Sequence, residues 1–545
     1  MSASTADRFA PRAALAGGAA ASSCDVLVVG GGINGAGIAR DLAGRGLEVV
    51  LCEQDDLAQH TSSSSTKLIH GGLRYLEYYE FALVRKALAE REVLLRSAPH
   101  IMWPLRFVMP HDASMRPVWM VRAGLFLYDH LARRELLPGS RTISLRGGVY
   151  GAPLQPRFKM GFVYSDGWVD DARLVVLNAI DARERGAQIL TRWRCTQARR
   201  QGKGWQVRLE SAGGAVREVQ ARALVNAAGP WASQFLSQHA GQADAKTLRL
   251  VKGSHIVVRR LFEHDHAYIL QSPDRRIIFM IPYEGEFTLI GTTDVDHRGA
   301  LGEAKVDASE IAYLCEQVNH YLARPVAPAD VVWSYAGVRP LLEDESRDAS
   351  AVTRDYQLEL DRGGDTAAAP LLTVWGGKLT TFRKLAEEAG DLLQAPLGAR
   401  AAWTAGALLP GGDLAGAASA ASTDVVGDFA RFEAGLAQRY PHWPAGLRHR
   451  CARSYGTRVA RWAGADGRDL GAEVAPDLFE AELNYLRESE WACSADDVLW
   501  RRSKLGLHFD AAQRNAVARW CEQHWGEGQG SKAQESKAQG SRACN

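Results

Sequence analysis

The chain has 545 residues, 46% of them hydrophobic and 23% charged, with a net charge of +2. That is the composition of a folded globular protein, and it excludes a general polyanion-binding surface. Eight scattered cysteines, at 24, 52, 195, 315, 451, 493, 521 and 544, form no C-x-x-C pair and no metal spacing, so neither a disulfide framework nor a zinc site is encoded and a reducing compartment fits best.

Residues 1–23 are rich in Ala, Ser and Gly and lack the basic start and apolar core of a secretory signal; they read as a disordered extension, with a transit peptide as the alternative. Asp25 then opens a short apolar strand that runs into Gly30, Gly32 and Gly35, a G-x-G-x-x-G turn leading into a helical pattern. One glycine allows the tight turn, the next lets backbone approach a pyrophosphate, and the third lets helix pack on strand, with phosphate charge on the helix N-terminus. A second apolar run, Val49 to Cys52, ends in Glu53, placed to accept hydrogen bonds from a ribose. Small or apolar residues at Ala39, Leu42, Gly46 and Val49 keep the helix close to its sheet. A later strand tip, Leu224 to Gly229, returns to the same place. These two features favour FAD over a nicotinamide.

Between Thr61 and Tyr75 the chain is polar, hydroxyl-rich and punctuated by glycine. Its hydroxyls can bind cofactor phosphates and ring edges, or it can be a plain serine-rich loop. The His70-Gly-Gly-Leu-Arg-Tyr75 run presents a cation and a hydroxyl together. The spacing predicts a helix from Tyr78 to Ser97 with Phe81, Val84, Leu88 and Leu95 inside and Arg85, Lys86, Glu90 and Arg91 on a solvated face. Pro104, Pro110 and Pro117 then mark an irregular connection. Val118 to Leu131, followed by Arg133 and Arg134, suits either a helix lying in a membrane interface or a partly buried helix with a basic end. No run reaches the roughly 18 apolar residues of a membrane span.

A helix over Val169–Arg185 is followed by short strands at 188–195, 205–209, 216–219 and 223–228, the pattern of a small β-meander. From Arg249 the texture is that of an antiparallel sheet, with strands at 250–258, 276–283 and 287–293. His255 on the first of these is either a satisfied core histidine or a polar group facing substrate. A helix over 308–322 precedes the strand Val331 to Pro340, which delivers Arg339 at its end. The stretch Leu371 to Arg383 repeats the device of strand, glycine pair, lysine, hydroxyls and helix, so Gly377 and Lys378 are placed for close backbone approach. Beyond 400 the chain becomes helical, and Ser494 with an acidic first turn reads as a helix start whose Arg501 and Arg502 pair with acids across a domain contact.

A flavin site with a histidine and the separated cations Arg74, Arg339 and Lys378 points to oxidation of a small anionic substrate, either a phosphate ester or a carboxylate. Together, Gly30 to Gly35, Thr61 to Tyr75, Val251 to His255, Gly291 to Asp294, Gly337 to Pro340 and Gly376 to Thr381 resemble the FAD-dependent, aerobic sn-glycerol-3-phosphate dehydrogenase family. The resemblance covers Asp25 to about residue 525. It implies an α/β fold: a Rossmann-like FAD-binding domain interwoven with an antiparallel-sheet substrate domain, as in D-amino-acid oxidase, over 24–400. The cap lies mainly at 75–150 and 249–340, an α-helical domain at 401–525, and a flexible tail at 526–545.

It further implies oxidation of sn-glycerol 3-phosphate to dihydroxyacetone phosphate, with hydride passing to flavin N5 and electrons to a membrane quinone. The enzyme would be peripheral on the cytoplasmic face of a bacterial inner membrane, commonly dimeric, with no nucleic-acid partner and no metal. Carried over by motif, FAD contacts fall to Gly30, Gly32, Asn34, Gly35, Glu53, Thr61, Ser62, Ser63, Ser64, Thr66, Lys67, Leu68, His70, Gly71, Ala228, Gly229, Asp294, Gly377, Lys378, Leu379 and Thr380. Arg74, Tyr75 and Arg339 would hold phosphate or hydroxyls, with His255 and Lys378 by the reacting carbon. His255 is the favoured base because its reference pKa is nearest neutrality, with Lys378 at a lowered pKa as the alternative. The rivals are an oxidase making hydrogen peroxide, an amine or amino-acid oxidase of the same broad fold, and a flavin-binding protein without turnover. No EF-hand loop follows the helical region, which argues against calcium-regulated relatives.

Overall fold

The computed structural model describes residues 22–112, 115–242, 246–274, 276–342, 355–363, 368–416 and 422–526; the expected N-terminal extension up to residue 21 and the tail from 527 lie outside them. In chain order the first unit runs β1 (Ser22–Val29), α1 (Ile33–Gly44), β2 (Val49–Glu53), β3 (Leu68–Ile69), α2 (Phe81–Ser97), β4 (Met102–His111), α3 (Val118–His130), β5 (Arg141–Ser144), β6 (Met160–Val169), α4 (Asp171–Glu184), β7 (Gln188–Thr191), β8 (Trp193–Gln201), β9 (Gly204–Ser211), β10 (Val216–Asn226) and α5 (Ala232–His239). It continues with β11 (Leu248–Arg259), β12 (Ala267–Gln271), β13 (Ile277–Tyr283), β14 (Phe287–Gly291), β15 (Val295–Asp296), α6 (Ala308–Asn319), β16 (Val331–Leu342), β17 (Gln357–Asp361), β18 (Leu371–Trp375) and α7 (Phe382–Leu397).

One sheet has the order β17-β18-β10-β1-β2-β7, parallel from β18 through β7 with β17 antiparallel at its edge. Its inner strands are buried on both faces, which is why they read as unbroken apolar runs. Helix α1 packs against α4 and α7 in one core on one face of the sheet, while β8, β9 and α5 cover the other. The expected strands 216–219 and 223–228 are a single strand, β10. Its first half pairs antiparallel with β9 and its second half parallel with β1, so one strand serves both the meander and the cofactor sheet.

The second sheet has the order β15-β11-β14-β13-β12-β4-β6-β3, with β16 on β11 and β5 on β6. Here the proline-marked connection is a correction. Residues 102–111 form β4, with Pro104 opposite Gly167 and Pro110 opposite Gly161. On its other side β4 pairs with β12 only at Phe107 and Val108, so both prolines sit where no ladder donor is required. Strands β6 and β12 escaped the sequence patterns because burial leaves them without a polar alternation.

The polar face assigned to residues 78–97 is also corrected. The helix starts at Phe81, and Glu90 and Arg91 are buried: Arg383 grips Glu90 through Nε and Nη2 at 2.7 and 2.6 Å, and Arg91 meets Asp166 at 2.6 Å.

The C-terminal unit comprises α8 (Val425–Arg439), α9 (Ala445–Tyr455), α10 (Glu480–Glu490), α11 (Leu505–His508) and α12 (Ala511–Trp525) around their own apolar core, with a small hairpin of Glu473–Ala475 and Leu478–Phe479. It docks on the first unit through buried ion pairs. Arg173 of α4 forks onto Glu490, and Arg501 and Arg502 hold Asp56, as their expected cross-domain pairing requires. Removing one partner of such a pair typically costs about 3–5 kcal/mol, because the remaining charge stays buried.

Candidate active site

The turn from β1 into α1 and the tips of β2, β10 and β18 enclose a cavity of about 520 Å³. It is lined by Gly30, Gly32, Asn34, Glu53, Thr61, Ser62, Ala228, Gly229 and Gly377, and also by Asp55, His60, Arg194 and Trp231, which carried no motif. At Gly30, with φ of +112°, an added Cβ would run into the Ala227 backbone, and at Gly35 it would run into the Gly30 carbonyl. Helix α1 has no side-chain cap, so its first amides are left for a ligand or for loop groups. Ser62 Oγ accepts from Ile33 N–H at 3.0 Å. Glu53 Oε2 and Oε1 accept from Gly31 and Asp55 amides at 2.6 and 2.9 Å, and burial raises its carboxyl pKa despite them. The buried Asn34 Oδ1 has no protein partner. A glycine cradle, a helix start and an unpaired buried amide oxygen fit the pyrophosphate and ribose of a dinucleotide.

The hydroxyl-rich segment divides its work. Ser63 and Ser64 turn their hydroxyls onto the His60 carbonyl at 3.3 and 3.2 Å. Lys67, buried and left-handed at φ +60°, donates to Asp171 at 2.7 Å, while Leu68 enters the core beneath the second sheet. His70 N–H donates to Thr380 Oγ1 at 3.2 Å, Gly71 N–H donates to Tyr128 Oη at 2.8 Å, and Leu379 packs on the first core.

Thr66 reaches the second sheet, where its hydroxyl lies 2.9 Å from His255 Nε2. His255 is 2% exposed, lies on the Tyr335 ring at 4.8 Å between centroids and 15° between planes, and has no partner at Nδ1. Burial, with Arg339 and Lys67 nearby, pushes its pKa well below 6.5, so the imidazole is neutral. The sheet makes room for these side chains with glycine: a Cβ at Gly291 would strike the His255 ring, and one at Gly253 the Arg339 guanidinium. Arg339 pairs with Asp294 through Nη1 and donates from Nη2 to Thr292 Oγ1 and the Thr293 carbonyl at 3.2 and 3.0 Å. By count, Nε–H and a second Nη1–H remain for a substrate.

Lys378 Nζ lies 4.3 Å from the Tyr75 ring centre, and Arg74 donates to Tyr78 Oη at 3.3 Å. The structure therefore makes two groups, His255 with Arg339 and Lys378 with Tyr75, and the Thr66–Tyr75 segment touches both. Tyr335 went unnoticed in the sequence, and Tyr128 was read only as an aromatic of the interfacial helix, whereas it is 2% exposed and bonds inward to Asp166. Tyr335 had a signal, because it shares a strand face with Arg339 four residues on. Tyr128 had none, since its partner Asp166 is on a strand that no pattern revealed.

The family model described as FAD dependent oxidoreductase matches residues 25–383, and that of the C-terminal domain of alpha-glycerophosphate oxidase matches 402–526. A glycerol-3-phosphate dehydrogenase of Pseudomonas aeruginosa is 53% identical, the match covering 91% of this chain and 95% of the relative. A D-erythritol 1-phosphate dehydrogenase of Brucella abortus is 49% identical, covering 91% and 97%. The crystal structure of a glycerol-3-phosphate dehydrogenase from Bacillus halodurans, complexed with FAD, superposes with a TM-score of 0.72 at 26% identity, covering 95% of this chain and 94% of that one.

Proposed function

The chain belongs to the FAD-dependent glycerol-3-phosphate dehydrogenase family and is an FAD enzyme, and from that premise we propose that it oxidises sn-glycerol 3-phosphate to dihydroxyacetone phosphate at the face carrying His255 and Arg339. The observation that carries this reading is the neutral, buried His255 with its free Nδ1 beside a tethered arginine. Arg339, with Arg74, Tyr75 and Lys378, holds the phosphate and hydroxyls. His255 takes the proton of the oxidised hydroxyl while the C–H bond breaks, and the neighbouring cations steady the developing charge on oxygen. FAD, when bound along Gly30, Asn34 and Glu53, supplies the acceptor for the hydride.

The anaerobic visible spectrum tests this directly. Adding sn-glycerol 3-phosphate bleaches the flavin band; a band that persists removes the substrate assignment while leaving the cofactor. D-Erythritol 1-phosphate, tested alongside at equal concentration, reads which of the two substrates named for the relatives reduces the flavin faster. Rapid reoxidation by a soluble quinone but not by dioxygen separates the dehydrogenase from the oxidase.

A peripheral position on the bilayer, which a membrane quinone as acceptor requires, is supported by α3. Trp119 and Phe126 are 68% and 61% exposed beside Met120 and Leu127, and Tyr79 is exposed as well. Among the described residues no helix is long and apolar enough to cross a membrane. Burying an aromatic side chain is worth about 1.5–3 kcal/mol, so Trp119→Asp lowers partition into anionic phospholipid vesicles about tenfold or more in co-sedimentation. Unchanged partition assigns the contact elsewhere.

A further inference from the structure

The loop after β2 points two residues away from its cofactor-facing neighbours. Glu53, Gln54, Asp55, Ala58 and Gln59 line the cofactor cavity, Leu57 enters the apolar core, and Asp56 does neither. It turns away and is 1% exposed. Among the described residues its carboxylate is held from the C-terminal unit alone: Arg502 Nη1 and Nη2 reach Oδ2 and Oδ1 at 2.7 Å each, and Arg501 Nε reaches Oδ2 at 2.6 Å. Arg502 is itself fixed by the Glu490 carbonyl, and Arg501 pairs with Asp497. Asp497 also binds Arg192 at 2.7 Å, whose own amide donates to the Asp55 carbonyl at 2.9 Å. The tight turn is completed by Ala58 in the left-handed region at φ +61° and by its amide on the Gly31 carbonyl at 3.2 Å.

We infer that the C-terminal domain is a clamp on the cofactor loop, in which Arg501 and Arg502 act as positioning residues for FAD by anchoring Asp56. This rests on the reading that the cavity lined by Gly30 and Glu53 holds the adenosine diphosphate half of FAD. Without those arginines Asp56 would be a buried carboxylate lacking its cations, and the loop would have to move to bring it to water. Glu53 and the Gly31 amide it holds would move too. Because such coupling is reciprocal, FAD in turn strengthens docking of the C-terminal domain.

The test is FAD reconstitution of full-length apoprotein, followed by flavin fluorescence. In Arg502→Met the Kd for FAD rises by about tenfold or more and FAD leaves faster, with Arg502→Lys in between because it keeps the charge and loses the fork. Arg450→Met breaks the Glu482 pair inside the C-terminal unit; it lowers the Tm of the apoprotein but leaves the Kd at the parent's value. A parental Kd in Arg502→Met, or an equal rise in Arg450→Met, overturns the clamp. If Arg502→Met does not fold, Arg501→Met is judged by the same criterion. Gly30→Val tests the cavity separately: if it binds FAD as the parent does, the cofactor lies elsewhere, whatever Arg502 does.

Discussion

Replacing Arg339 with alanine lowers kcat/KM for sn-glycerol 3-phosphate by about 10²- to 10³-fold while FAD stays bound. A hydrogen bond from a guanidinium to a phosphate contributes about 1.5–3 kcal/mol, and two of them at the low end of that range, as suits a side chain that is 29% exposed, make roughly 3–4 kcal/mol, where each 1.36 kcal/mol is a factor of ten. The geometry makes the loss specific. Asp294, Thr292 and Thr293 hold the guanidinium in place before substrate arrives, so little ordering cost offsets the contact. Arg339 does not line the large cavity, which is why flavin content is expected to survive. Lysine at this position restores the charge without the fork and recovers only part of the rate. Steady-state kinetics normalised to bound flavin decide the matter, and a parental KM at full flavin content takes Arg339 out of the substrate site.

The cofactor cradle could be read from the sequence because its physics is local. A strand, a glycine turn, a helix and an acid at the next strand tip occupy Asp25 to Glu53 in one continuous stretch, and the fold brings Gly30, Gly32, Asn34 and Glu53 to one cavity. The acid's role was less local. Glu53 already receives the Gly31 and Asp55 amides, so it braces the glycine turn as well as facing the cavity.

The substrate side was harder to read because its contacts join distant segments. Thr66 and His255 are separated by 189 residues, and Arg339 comes from a third strand. Sequence pattern could mark each as a polar group on an apolar strand; it could not say that glycines at 253 and 291 open the space they fill. Burial misled in the opposite direction at Glu90 and Arg91. Helical spacing puts charges outside by default, yet Arg383 and Asp166 arrive from elsewhere to satisfy them. Pro104 and Pro110 failed for a related reason, since a proline's cost in a strand depends on whether a neighbour needs its missing donor, and that neighbour is known only from the sheet order.

His255→Ala is expected to slow flavin reduction by about 10²- to 10⁴-fold, the usual contribution of a general base, with KM and flavin content near those of the parent. The pH dependence separates this histidine from an ordinary one. An unperturbed imidazole titrates near 6.5, so at pH 6 about three-quarters of it would be protonated and useless as a base. In His255 burial is the first cause of the depression, followed by the charges of Arg339 and Lys67. The reduction rate at saturating substrate therefore stays level down through pH 6, and the acid limb appears only well below the usual histidine range. The same depression ties stability to pH with a definite sign. The unfolded chain gains a proton as pH falls through about 6.5, and the folded chain does not until far lower, so this site costs stability progressively on acidification. Stopped-flow reduction across pH 5 to 9 reads the rate profile, and the Tm over the same range reads the stability. A limb centred near 6.5 would mean that His255 is not held neutral by its surroundings. Parental reduction in His255→Ala would pass the proton to Lys378, whose replacement by methionine should then remove the rate that His255→Ala had left intact.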